Sequence, residues 1–386
     1  MALTFTQQPS TASLAQSPIV FGVLESGGIL TSSSFQYLGA LTVWSGRPVD
    51  SGSGQTYTLA KYPNAASTGL FDFGKIINST LTSSLLDDSS NVNYFKAEFY
   101  TRYKSGTQFI TSSIQLTSED SFALDGYGLY GENVTQSLSE KTSYFPILTD
   151  GVTEQYFTDS NTGTTGVWVA DLTETSDVDS IRYSSGSVTQ SFSVTTEVYP
   201  NTTGSIVQIP LFPSEAGFPI VTTGDFYDIT PYSGSTPIGS PLRFTKKCES
   251  KYPNVRLKWK NRFGQWDYFN FDMVSRKSMD VQTKTYQPQP GGWNSSVLSY
   301  TDSDSSKQNF ATDAFESITI NTDWIDESYN DWFKQLLVSD EIYIVEDTDI
   351  RVNLKTTNLE FKTGVVDKLI NYTFDLEYGR TYKLVL

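Results

Sequence analysis

Residues 255–271 read V-R-L-K-W-K-N-R-F-G-Q-W-D-Y-F-N-F, and the pattern predicts a β-hairpin. Val255, Leu257 and Trp259 alternate with Arg256, Lys258 and Lys260. That period of two puts the apolar side chains on one face of a strand and the cations on the other. Asn261-Arg262-Phe263-Gly264 breaks the alternation, and Gly264 is free to take the positive φ that a tight connection often needs. A second strand follows, dense in Trp266, Tyr268, Phe269 and Phe271. Nothing in the stretch is reactive, so its weight falls on architecture.

The whole chain agrees with a β reading. Charged residues make up only 18% of the 386 residues, and Ser, Thr, Asn, Gln, Gly and Tyr supply the polarity instead. Ser and Thr hydroxyls compete for nearby backbone groups and disfavour helix interiors, whereas Thr, Tyr, Phe and Val suit strands. The expected fold is mainly β and multi-domain, with β-sandwich-like domains and one short amphipathic helix near the C-terminus. Asp323 or Asp326 would cap that helix, and Tyr329, Trp332, Phe333, Leu336 and Leu337 fall on one of its faces. Turn signals and composition divide the chain into an N-terminal β-sandwich at 1–105, a middle β domain with long loops at 106–240, and a C-terminal β domain with the helix at 241–386. In the first of these, Phe95, Ala97, Phe99, Thr101 and Tyr103 share a strand face, and the apolar segment from Gly69 to Ile77 can begin a short helix.

Several chemistries are excluded or disfavoured. The chain has no histidine, which removes imidazole-based triads, His-containing zinc sites and an imidazole pH switch. Cys248 is the single cysteine, so no intrachain disulfide can form; it reads as a small side chain near a strand start. A formal net charge of −16 repels phosphates and argues against nucleic-acid binding. No basic leader or long apolar run follows Met1, so neither cleaved-signal export nor a membrane span is expected. No nucleotide-binding glycine motif or zinc-protease motif occurs.

Carboxylate pairs are the remaining acid–base candidates: Asp87 with Asp88, Asp302 with Asp304, and Asp347 with Asp349. Each reads as a solvated turn, because neighbours in sequence do not make the cleft that two-carboxylate chemistry needs. No catalytic, cofactor-binding or metal-ligating residue is assigned. The basic run is more distinctive. Arg243, Lys246, Lys247, Lys251, Arg256, Lys258, Lys260 and Arg262 crowd into an otherwise acidic chain. Against the reading of an ordinary solvated strand face stands that of a contact surface for an acidic neighbour. Arg256, Lys258 and Lys260 are the candidate subunit contact, with Asp or Glu expected opposite.

The hairpin also carries the pattern L-x-x-x-N-R-x-G-x-x-D-x-F-x-F, from Leu257 to Phe271. Together with L-T-F-T-Q-Q-P at 3–9, S-P-I-V-F at 17–21, S-F-Q-Y at 34–37, G-L-F-D-F-G-K-I-I at 69–77, W-I-D-E-S-Y-N-D-W-F-K-Q-L-L-V-S at 324–339 and K-L-I-N-Y-T-F-D-L-E-Y at 368–378, it resembles virion proteins of tailed bacteriophages. These include phages of Bacteroidetes and environmental phages related to crAss-like viruses. The resemblance covers both ends of the chain more than the middle. It implies a place in a virion and not a reaction, with tail, neck and fibre positions all open. The expectation is a non-enzymatic structural component, in the tail or baseplate, with no cofactor, that contacts other virion proteins and forms a homo-oligomer, because strand edges in such domains need neighbours to cover them. The alternative is a host-recognition fibre or glycan-binding protein, since the chain's many tyrosines and tryptophans permit stacking on sugars.

Overall fold

The computed structural model describes residues 3–10, 12–32, 34–45, 51–81, 92–128, 146–169, 178–193, 205–219, 225–247, 251–288, 291–294, 296–299, 307–356, 358–360 and 369–385. Cys248 and the pairs Asp87/Asp88 and Asp302/Asp304 lie outside the described residues. The fold is mainly β, built from several separate sheets with little helix. The chain forms two compact units, Met1–Lys247 with Lys260–Asp267, and Cys248–Trp259 with Tyr268–Leu386.

The first unit opens with a sandwich. One layer is the three-stranded sheet Leu3–Gln7, Val20–Glu25, Thr68–Asp72. The other runs in the order Ala12–Leu14, Ser121–Leu124, Val92–Ser105, Gln36–Trp44, Gln55–Lys61. Phe21, Phe71, Phe95 and Phe99 interdigitate between the layers, with Ile19, Val23, Tyr37 and Leu41. The strand Val92–Ser105 buries Phe95, Ala97, Phe99 and Thr101 on one face, as its alternation predicts. Residues 92–95 are buried without alternation, because the opposite face is covered too: Trp44, Tyr94, Phe122, Leu148, Trp168 and Phe263 form a second cluster there. Ser121–Leu124 pairs with residues 92–95, so this sheet runs past residue 105. The segment Gly69–Ile77 splits into the end of a strand and a short helix, Gly74–Thr80. Asp72 sits at that junction, and its Oδ1 accepts the Ile19 amide (3.1 Å) and the Gly74 amide (3.0 Å).

The rest of the first unit holds a six-stranded sheet whose main path is Glu154–Phe157, Leu242–Lys246, Phe226–Ser233, Ser180–Ser185, Val188–Ser193. A two-stranded ribbon, Thr164–Val169 with Ser205–Pro210, accompanies it. Phe157, Tyr183, Phe212, Phe218, Tyr227 and Phe244 meet edge-on or stacked.

The second unit is organised by one seven-stranded sheet, in the order Trp266–Phe271, Val255–Lys260, Ile342–Ile344, Ile350–Leu354, Thr373–Val385, Gln308–Asn321, Arg276–Tyr286. The predicted amphipathic helix forms at Tyr329–Val338 and buries Tyr329, Trp332, Phe333 and Leu336. Trp332 meets Trp259 at 5.1 Å between rings, and Phe333 meets Phe269 at 5.2 Å. The helix start differs from expectation. Ser328 occupies the N-cap position without a side-chain cap, while Asp326 Oδ1 accepts the Ser328 amide at 2.9 Å.

Candidate functional site

The hairpin forms where the sequence places it, but its outer face is not solvent-exposed. Leu257 and Trp259 are fully buried, and so, nearly, are Arg256 and Lys260 on the other face. Each cation has a partner within its own unit. Arg256 lies over the Tyr268 ring (4.9 Å) and donates to Asn270 Oδ1 (3.3 Å). Lys258 pairs with Asp349, and Lys260 pairs with Asp125. Arg262 Nε lies 2.6 Å from Asp150 Oδ2. Further back in the run, Arg243 grips Asp228 through two bonds of 2.8 and 2.9 Å, and Lys246 reaches Asp159 at 2.6 Å. The Asp228 hydrogen bonds hold the Arg243 guanidinium above its ordinary pKa. The acidic groups expected from another copy are therefore supplied by the same chain, which corrects the reading of Arg256, Lys258 and Lys260 as a free contact face. Period-two alternation separates two strand faces, but it does not say whether the polar face meets water or more protein.

The N-R-x-G-x-x-D portion of the hairpin pattern has a structural role. Asn261 Oδ1 accepts the amides of Phe263 (3.0 Å) and Gln265 (3.1 Å), closing the turn. Its Nδ2 donates to the Leu148 carbonyl (2.9 Å) and to Asp267 Oδ1 (3.1 Å), which also accepts from Thr149 Oγ1 (2.8 Å). Gly264 adopts φ +74°, and a Cβ there would collide with the Asp125 carbonyl oxygen. These side chains are spent on positioning one loop, and they have little left to offer a substrate.

Asp347 and Asp349 sit in the exposed five-residue connection between the paired strands Ile342–Ile344 and Ile350–Leu354. Asp349 takes Lys258 there. Among the described residues, no group of three or more His, Cys, Asp or Glu side chains converges as a metal cage would. A cavity of about 220 Å³ lies in the first unit, walled by Pro146, Ile147, Pro231, Pro241 and Leu242, with Asp150 at its polar side. That volume is below the usual range for small-molecule sites, and Asp150 is already engaged by Arg262.

The surface that stands out is the strand Arg276–Tyr286. It forms the end of the seven-stranded sheet, paired along its length with Gln308–Asn321 from Arg276↔Thr319 to Tyr286↔Gln308. Its other edge meets no strand among the described residues. All eleven residues are exposed, including Met279 at 53% and Val281 at 55%. Val281 lies level with Ala314 and Tyr382 on the two neighbouring strands, so an apolar row crosses the sheet on one face. The single irregularity in the pairing falls on the partner, where Phe310 is the extra residue between the partners of Lys284 and Thr285. The edge strand itself is regular. Sequence reasoning passed over this segment. The available signal was Met279, Val281, Thr283 and Thr285 alternating with Asp280, Gln282 and Lys284, ended by Pro288.

A long, regular edge with no partner strand is a template for another strand, and proteins ordinarily blunt such edges with bulges, proline or a cover. The charges of Arg276, Lys277 and Lys284 are the protection visible here. Compared with known proteins, the chain matches no family model, and no curated protein shows significant sequence similarity to it.

Proposed function

We propose that the chain is a structural component of a phage virion, in the tail or baseplate, working through contacts with copies of itself and with other virion proteins. The observation that carries this reading is the open edge Arg276–Tyr286, with Met279 and Val281 left in water. Burying an apolar side chain of this size is worth roughly 1.5–3 kcal/mol, so a neighbour that covers them gains affinity from the edge. The hairpin pattern and the terminal segments that resemble virion proteins point the same way. The acidic charge of −16 suits a protein that must stay soluble until it assembles. In this reading the protein resides in the virion and is not an enzyme, and it binds neither nucleic acid nor membrane. No helix among the described residues is long and apolar enough to cross a bilayer.

Mass photometry of the purified chain over a concentration series, with mass spectrometry and reconstruction of purified particles, tests the proposal. Self-association and a fixed position in the particle are expected. Absence from particles would refute it. The second reading, a glycan-binding host-recognition protein, is favoured by Trp324, which is 62% exposed and offers a ring on which a sugar face can stack. Specific signal on a glycan array, lost in Trp324→Ala, would favour that reading instead.

A further inference from the structure

We infer that the occupant of the open edge is a second copy of the same strand, paired antiparallel about a two-fold axis at Gln282. This rests on the assembly reading above and specifies its contact. In a regular antiparallel ladder, residues whose N–H and C=O point outward face one another, and outward-pointing residues alternate along a strand. A strand paired with its own copy is therefore restricted to registers centred on a residue.

Charge selects among those registers. Centring on Asp280 sets Asp280 against its own copy and Arg276 against Lys284, both repulsive. Centring on Met279, Val281 or Thr283 brings no opposite charges level. Centring on Ser278 joins Arg276 to Asp280 but overlaps only residues 276–280 of the strand. Centring on Gln282 overlaps residues 278–286 and joins Asp280 to Lys284 twice, once on each side of the axis. It also sets Val281 beside Thr283 and Met279 beside Thr285. Asp280 is available for this: Lys355 Nζ lies 3.7 Å from it, yet the Asp280 side chain stays 72% exposed. The paired edges would continue the seven-stranded sheet of one copy into that of the next, and the contact is isologous.

The test uses the full chain in analytical ultracentrifugation, with Asp280→Lys and Lys284→Asp as separate variants. Both positions are exposed, so folding is expected to be retained, and circular dichroism checks it. Each variant alone places like charges together twice and should weaken the dimer by about tenfold or more. Mixing the two variants makes every pair opposite again and should restore a dimer made of one copy of each. In a Cys248→Ser background, Gln282→Cys should crosslink to a dimer under mild oxidation, because directly opposed Cα atoms fall within disulfide reach. Ser278→Cys, which faces Tyr286, should not. Self-association that is unchanged by either charge variant, with no crosslink at 282, overturns this register and leaves the assembly reading standing. A wild-type chain that stays monomeric throughout the series also overturns it, and the particle measurement then decides the broader reading on its own.

Discussion

Lys260 and Asp125 are 135 residues apart in sequence and form an ion pair from which water is nearly absent, with side-chain exposures of 5% and 11%. Taking two charges out of water costs several kcal/mol per ion, and mutual attraction offsets this only while both partners are present. Asp125 also accepts Gln16 Nε2 at 3.2 Å, so its second oxygen is used as well. Removing one charge should cost about 3–5 kcal/mol of stability, because the other is left buried and uncompensated. Lys260→Met combined with Asp125→Asn should cost less than either change alone. Urea unfolding of both single variants and the double variant measures this; additive losses would show that the two charges are not coupled.

The same burial reverses an expectation drawn from the strand pattern. On a solvated face, Arg256→Glu, Lys258→Glu and Lys260→Glu together would leave the fold intact. In this structure the triple reversal sets glutamates against Asp349 and Asp125 and removes a guanidinium from the Tyr268 ring. Loss of the cooperative thermal transition is expected. A native circular dichroism spectrum with an unchanged midpoint would contradict the placement of these side chains.

What the sequence made legible was local. The hairpin, the helix at Tyr329–Val338 and the core face of Val92–Ser105 each follow from a period that neighbouring residues set by themselves. What it hid was long-range. Asp125, Asp150 and Asp349 lie far in sequence from the cations they meet, and nothing near them marks them as partners of those cations. The open edge was hidden for a related reason. The alternation of Met279 to Thr285 looks the same whether the strand is covered or bare, since exposure depends on what the rest of the chain brings alongside it.

Gly264 and Gly126 allow a close crossing of backbones. A Cβ on Gly264 would collide with the Asp125 carbonyl oxygen, and one on Gly126 would collide with that of Arg262. The Tyr127 amide donates to the same Arg262 carbonyl at 2.9 Å, so the crossing is also hydrogen-bonded. Gly106 provides an internal control: its φ is +64°, but a Cβ there would meet nothing within 4 Å. Gly106→Ala should cost about 1–2 kcal/mol, the conformational penalty alone. Gly264→Ala should add on the order of 1–3 kcal/mol for the clash. Equal shifts of the urea midpoint in the two variants would mean that the two backbones leave room for a Cβ at Gly264.

Tyr183 gives the chain an alkaline limit. Its ring is fully buried, its hydroxyl donates to the Pro210 carbonyl at 2.8 Å, and burial pushes its pKa far above the ordinary value of 10.0. The folded state holds the phenol neutral while the unfolded chain ionises it at about pH 10. The unfolded state therefore binds fewer protons above that pH, and stability must fall as pH rises. The contribution is fully present below the unfolded value and is lost as pH climbs from there toward the folded one. Burial raises Tyr37 and Tyr343 in the same direction. Tyr183→Phe should lose about 1 kcal/mol at neutral pH, because the Pro210 carbonyl loses its donor. Above about pH 10 the variant is spared the ionisation penalty, worth roughly 1.4 kcal/mol per pH unit, so the gap should close and then invert. Urea unfolding of both proteins from neutral to strongly alkaline pH, followed with tyrosinate absorbance, measures the crossing. A gap that stays constant through that range would mean that Tyr183 ionises in the folded protein, and that its hydroxyl reaches water.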